Sequence, residues 1–199
     1  MSGIEIHQEP DHAYRFFAPC AAAMTFDIGD PVRIVTNQLA DCIDDDTEIL
    51  CNEIIGFACE PAEGTTAGSR ATAAADGFGV VTNQMRTYWA YNAPGLLLRT
   101  RNFWAAAGAS VQSEKDGTEI GDTFPMTAAA GTNIWGVENG AVILADAGEI
   151  NPADSANFLC VAILDNDMNP IDAAATQTAG DGWMILKPIG GSQLDFGAA

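Results

Sequence analysis

Asp27-Ile28-Gly29-Asp30-Pro31-Val32-Arg33-Ile34-Val35-Thr36 reads as a tight turn feeding a β-strand. Gly29 supplies a free backbone dihedral, Asp30 can hydrogen-bond within the turn, and Pro31 can open a strand because the ladder does not need its missing N–H. Beyond the proline the side chains alternate: Val32, Ile34 and Thr36 fall on one face, Arg33 and Val35 on the other. An all-β module therefore begins here, with the turn as its hinge.

Toward the carboxyl end, short apolar runs alternate with Gly, Asn, Asp and Pro. Strands are expected near Glu48 to Cys59, Phe78 to Thr82, Arg86 to Tyr91, Leu96 to Thr100 and Ala109 to Gln112. Others are expected near Ile134 to Val137, Ala141 to Ala145, Phe158 to Leu164 and Trp183 to Pro188. This spacing predicts an all-β fold: a β-sandwich or β-barrel-like domain with long loops and an extended N-terminal arm. Phe158 to Leu164 and Trp183 to Leu186 lack alternation, so each is expected as a central strand covered from both sides. Long loops fall at Glu60 to Ala75, Ala145 to Asn157 and Ala173 to Gly182, where large apolar residues are sparse.

Toward the amino end, residues 1–25 read as the arm, and the β-rich domain runs over 26–199. Ile4 and Ile6 alternate with polar neighbours over a very short strand, which Glu9-Pro10-Asp11 ends. Tyr14, Phe16 and Phe17 must dock on their own domain or on a neighbouring subunit. Ala18 to Met24 is compatible with a helical turn. Val35-Thr36-Asn37-Gln38 recurs as Val81-Thr82-Asn83-Gln84, and Gly29-Asp30 as Gly121-Asp122. The echo leaves two readings open: two related β-units divided near residues 105–120, or two similar hairpin ends.

With 199 residues, 48% hydrophobic and 18% charged, the chain can bury a proper core. Its 27 acidic residues stand against 8 basic ones, a formal net charge of −19. Such a field repels phosphate backbones and disfavours nucleic-acid binding. It suits solubility, a salty medium or a basic partner surface. The five cysteines, Cys20, Cys42, Cys51, Cys59 and Cys160, are odd in number and form no C-x-x-C pair. A closed disulfide framework or a zinc knuckle is not expected, and the thiols read as small buried hydrophobes. With no cleavable signal and no apolar run of about 18 residues, a soluble chain made inside a cell, without a membrane partner, is expected.

No strong catalytic pattern is present. The only histidines, His7 and His12, lie in the arm at a spacing that suits neither one helix face nor a metalloprotease pair. Asp165-Asn166-Asp167-Met168-Asn169 imitates the opening of a calcium loop, but Pro170 stands at the required glycine and Thr176 at the bidentate glutamate. Asp44-Asp45-Asp46 with Glu48 is oxygen-rich, and an exposed acidic turn is its simpler reading. Phosphate cradles and the lipase elbow are missing, and a carboxylate pair says little in so acidic a chain. The chain is read as a non-enzyme, with no catalytic residue, cofactor or metal.

Arg86 to Trp104 gathers five aromatics, Tyr88, Trp89, Tyr91, Phe103 and Trp104, with three of the eight basic residues, Arg86, Arg99 and Arg101. Either the aromatics fill the core while the arginines pair with acids, or some of them anchor an interface. The interface candidates are Tyr14, Phe16, Phe17, Arg86, Trp89, Arg99, Arg101 and Trp104.

This layout resembles the head-decoration, or capsid cement, proteins of tailed bacteriophages. The similarity lies in Gly29-Asp30-Pro31-Val32, Ile54-Ile55-Gly56-Phe57, Thr87-Tyr88-Trp89-Ala90-Tyr91 with Pro94, and Leu96-Leu97-Leu98-Arg99. Gly121-Asp122 and the apolar strands at Phe158 to Leu164 and Trp183 to Lys187 complete the order. The resemblance implies a structural virion protein, made in the host cytoplasm, that binds the capsid exterior. It would cement neighbouring major capsid protein subunits, acting as a homotrimer or homodimer. Two alternatives are a carbohydrate-binding or adhesion β-module, marked by exposed Trp and Tyr on a flat face, and a glycoside hydrolase, marked by a concave pocket holding two carboxylates.

Overall fold

The computed structural model describes residues 3–20, 26–35, 38–42, 54–62, 85–105, 111–128, 134–139 and 156–189. In chain order the strands are β1 (Glu5–Gln8), β2 (Arg15–Pro19), β3 (Pro31–Val35), β4 (Gln38–Asp41), β5 (Gly56–Ala58), β6 (Met85–Ala90) and β7 (Leu97–Thr100). They continue with β8 (Phe103–Trp104), β9 (Lys115–Asp116), β10 (Thr123–Ala128), β11 (Trp135–Glu138), β12 (Ala156–Leu164), β13 (Thr176–Gln177) and β14 (Trp183–Pro188). The only helical pieces among the described residues are two single 3-10 turns, His12–Tyr14 and Gly117–Glu119.

The protein is all-β. A seven-stranded sheet runs in the order β1-β7-β14-β12-β10-β11-β8, and a five-stranded sheet in the order β2-β6-β5-β3-β4. Between them lies one core. Phe57, Trp89 and Ala90 of the smaller sheet pack with Leu98, Phe124, Phe158, Met184 and Leu186 of the larger. The Phe57 and Phe158 ring centroids are 6.1 Å apart, which joins the two layers directly. The five-stranded sheet also curls, because Cys20 at the end of β2 bridges Leu39 on the opposite edge strand. Its other face holds a second core of Ala18, Val32, Leu39, Ala58 and Tyr88.

The opening stretch folds as read. β3 begins at Pro31, and Gly29 adopts φ +93. A Cβ at Gly29 would stand 2.2 Å from the carbonyl oxygen of Ile4, so the turn and the amino-terminal strand touch backbone to backbone. Val32 is fully buried whereas Ile34, on the same face, is 42% exposed, because the curled sheet covers only one end of β3.

The two unpatterned apolar runs are central strands, with β14 paired to β7 and β12, and β12 paired to β14 and β10. Trp183 to Leu186 are buried throughout. β12 departs from the expectation of cover on both faces: Val161 is 36% exposed. The ladder jumps from Cys160↔Leu186 to Ala162↔Ile185, leaving Val161 as an extra bulged residue.

The expected arm is woven into the fold, with β1 paired to β7 and β2 to β6, so it supplies an edge strand to each sheet. The expected helical turn at Ala18 to Met24 is corrected at its start, since Ala18 and Pro19 belong to β2. A division near 105–120 does not part the large sheet, whose strands come from both sides of it. β10 was not anticipated, because Pro125 interrupts its apolar pattern; the proline sits at a register irregularity where the ladder spares an N–H. Of the loop expected at Ala173 to Gly182, Thr176 and Gln177 pair with β9. The strands expected at Phe78 to Thr82 and Ala141 to Ala145, and the Glu48 to Glu53 part of another, lie outside the described residues, as does the acidic cluster at 44–48.

Candidate functional site

A cavity of about 420 Å³ opens where the two sheets meet at the amino-terminal strands. Ile6 of β1, Trp89 of β6 and Ile28 of the tight turn give it apolar walls, and Arg15 of β2 and Cys59 border it. Glu5 and Glu9 line its remaining side. The turn that presents Ile28, 54% exposed, is held by Asp27 N–H donating to Asp30 Oδ2 at 2.7 Å. Burial pushes the Asp30 carboxyl up to about 7, with the Asp27 and Asp41 carboxylates adding to the rise and the Asp27 N–H opposing it.

Electrostatic pairing divides the polar groups of this cavity. Arg15 donates to Thr87 Oγ1 at 3.0 Å, lies 3.5 Å from Glu60 Oε1, and stands 5.8 Å from the Trp89 ring centroid. Glu5 is turned to Arg99, whose Nε and terminal nitrogen both reach its Oε2 at 2.8 Å. Glu9 is exposed and has no hydrogen bond or ion pair among the described residues. Burial pushes the Cys59 thiol up to about 11, with the nearby Arg15 guanidinium opposing the rise.

The interface candidates separate by burial. Tyr14 is 37% and Phe17 69% exposed, whereas Arg86, Trp89 and Trp104 are buried. Arg86 donates to the carbonyls of Pro61 and Met85, and Trp89 and Trp104 sit in strands of the sandwich, Trp89 also lining the cavity. Phe16 is half-buried and packs between the two cores. Arg99 and Arg101 both stack on Trp183, at 4.6 and 4.4 Å from its ring centroid. Phe17 lies on the same face of β2 as Arg15, opposite Thr87, and the next rung pairs Pro19 with Met85, itself 47% exposed. An apolar ridge thus leads away from the cavity. Neither this ridge nor the cavity was legible beforehand, because each is assembled from strands far apart in sequence.

The other oxygen-rich candidate is a turn that satisfies itself. Asp165 Oδ1 accepts from the Asp167 and Asn169 backbone N–H groups at 2.9 and 2.8 Å. The Asn169 backbone, then its side chain, hold the Asp165 carboxyl below the usual carboxylate range. No group of three or more possible metal ligands occurs among the described residues. Cys20, Cys42 and Cys160 are buried, Cys59 is half-buried, and Cys51 lies outside the described residues. All four tryptophans, Trp89, Trp104, Trp135 and Trp183, are buried, as are Tyr88 and Tyr91. No helix among the described residues is long and apolar enough to cross a membrane. The comparisons with protein-family models, curated proteins and solved structures each return no match.

Proposed function

We propose that this chain is a structural, non-catalytic assembly protein that binds the outer surface of a phage head and cements neighbouring major capsid protein subunits, as a homotrimer or homodimer. The resemblance in layout supplies the class. The observation that carries it is the exposed apolar ridge of Phe17 and Met85 leading from the cavity that Ile28 lines, presented on strands and a backbone-locked turn. Exposed large apolar side chains on rigid elements suit a surface that is covered in an assembly. Many weak contacts of this kind, repeated over a shell, hold it firmly together.

The carbohydrate-binding alternative is disfavoured by the burial of all four tryptophans and of Tyr88 and Tyr91, which leaves Tyr14, 37% exposed, as the one accessible Trp or Tyr among the described residues. The hydrolase alternative draws on the cavity lined by Glu5 and Glu9. Against it, the Glu5 carboxylate is already engaged by Arg99, both of whose contacts fall on its Oε2. The deciding experiment is quantification of this protein in purified phage particles. A fixed stoichiometry with the major capsid protein is expected, and absence from the particles would sink the proposal.

A further inference from the structure

We infer that the cavity between β1, β2 and the tight turn is a socket for a lysine or arginine side chain of a partner polypeptide. The inference rests on the assembly reading above and names the chemistry of one contact within it. The walls are suited to the methylene stem of such a side chain, since Ile6, Ile28 and Trp89 supply apolar surface. Among the described residues the one cation bordering the cavity, Arg15, is already engaged by Thr87 and Glu60 and lies over Trp89. Glu9 has no partner among the described residues, and both Arg99 contacts to Glu5 fall on Oε2, leaving Oε1 with no partner among them. With Arg15 paired to Glu60 and Glu5 to Arg99, Glu9 is the lining charge left without an opposite partner among the described residues, and an incoming N–H cation meets it first.

Charge complementarity selects the same occupant at long range. A chain of net charge −19 draws basic partners and repels acidic ones. A polypeptide fits better than a small free cation, because the ridge of Phe17, 69% exposed, and Met85 runs on from Arg15 along the same face. A polypeptide inserting one basic side chain would cover that ridge; a polyamine would leave it in water.

The test uses the full chain and a hexapeptide carrying one arginine among alanines and leucines, followed by methyl and indole NMR signals. Saturable shifts are expected at Ile6, Ile28 and Trp89. Glu9→Gln should weaken binding by about tenfold, the worth of one charge-assisted hydrogen bond. Phe17→Ala should weaken it too, while Glu114→Gln, a change at an exposed acid remote from the cavity, should not. The inference is overturned if the same peptide with norleucine for arginine binds equally, if spermidine gives the same shifts at equal affinity, or if Glu9→Gln has no effect. Each of these results can occur whether or not the protein is found on phage particles, so the two readings fail separately.

Discussion

Asp30 shows how far a single residue could be read. Its place in a Gly-Asp-Pro turn was legible from local chemistry, since all the groups that make the turn are neighbours in the chain. Its burial was not, because residues far earlier in the chain close on the turn, Ile4 against Gly29 and Gly3 beside the Asp30 carboxyl. That burial has a pH signature. The folded-state value of about 7 lies above the ordinary 3.8, so within that window the folded protein holds a proton that the unfolded chain has released. Stability therefore falls as pH rises from about 4 to about 7 and is then flat with respect to this group. Asp30→Asn keeps an oxygen for the Asp27 N–H and removes the charge. Urea midpoints measured on both sides of the window are expected to fall less in the variant than in the parent. The slope that remains belongs in part to Glu119, which burial also raises to about 7. Lys115 acts at the other end: burial lowers it to about 8 while the nearby Glu119 and Asp181 oppose the fall. Between about 8 and its ordinary 10.5 the unfolded chain binds the extra proton, so stability rises with pH there.

Among the elements, β12 is the one whose sequence was most suggestive and least complete. Seven consecutive apolar residues pointed to a central strand, and it is central. What they could not disclose is the bulge at Val161, after which Ile163 faces the main core and Ala162 packs against the separate cluster of Leu164, Trp183 and Ile185. An unbroken apolar run carries no period, so a shift of one residue is invisible in it. Removing Val161 should convert the bulge to a regular ladder and leave each inward residue inward, at a cost of about 1 kcal/mol. Removing Leu159 should instead turn Phe158 away from Phe57 and cost about 3 kcal/mol or more. Equal losses for the two deletions in urea denaturation would refute the bulged register.

For the whole molecule, charge is the property that composition settles without any structure. The self-repulsion of net charge −19 opposes compaction, and added salt relieves it. At physiological ionic strength the Debye length is about 8 Å, so most exposed like-charge pairs are screened. The melting temperature is therefore expected to rise as sodium chloride is added from low ionic strength to the physiological range. A melting temperature indifferent to salt would show that the acids are already compensated within the fold.

By itself the sequence determined the all-β class, the strand after Pro31, and the central strands at Phe158 to Leu164 and Trp183 to Pro188. Each of these follows from turn chemistry or apolar runs that act over a few residues. The tertiary structure decided which strands become neighbours, and with that the weaving of the amino-terminal segment into both sheets and the burial of Trp89 and Trp104. It also decided the meeting of Ile6, Ile28 and Trp89 around one cavity. Strand pairing joins residues distant in the chain, such as Glu5 with Arg99, and such contacts form only when the whole chain closes on its core.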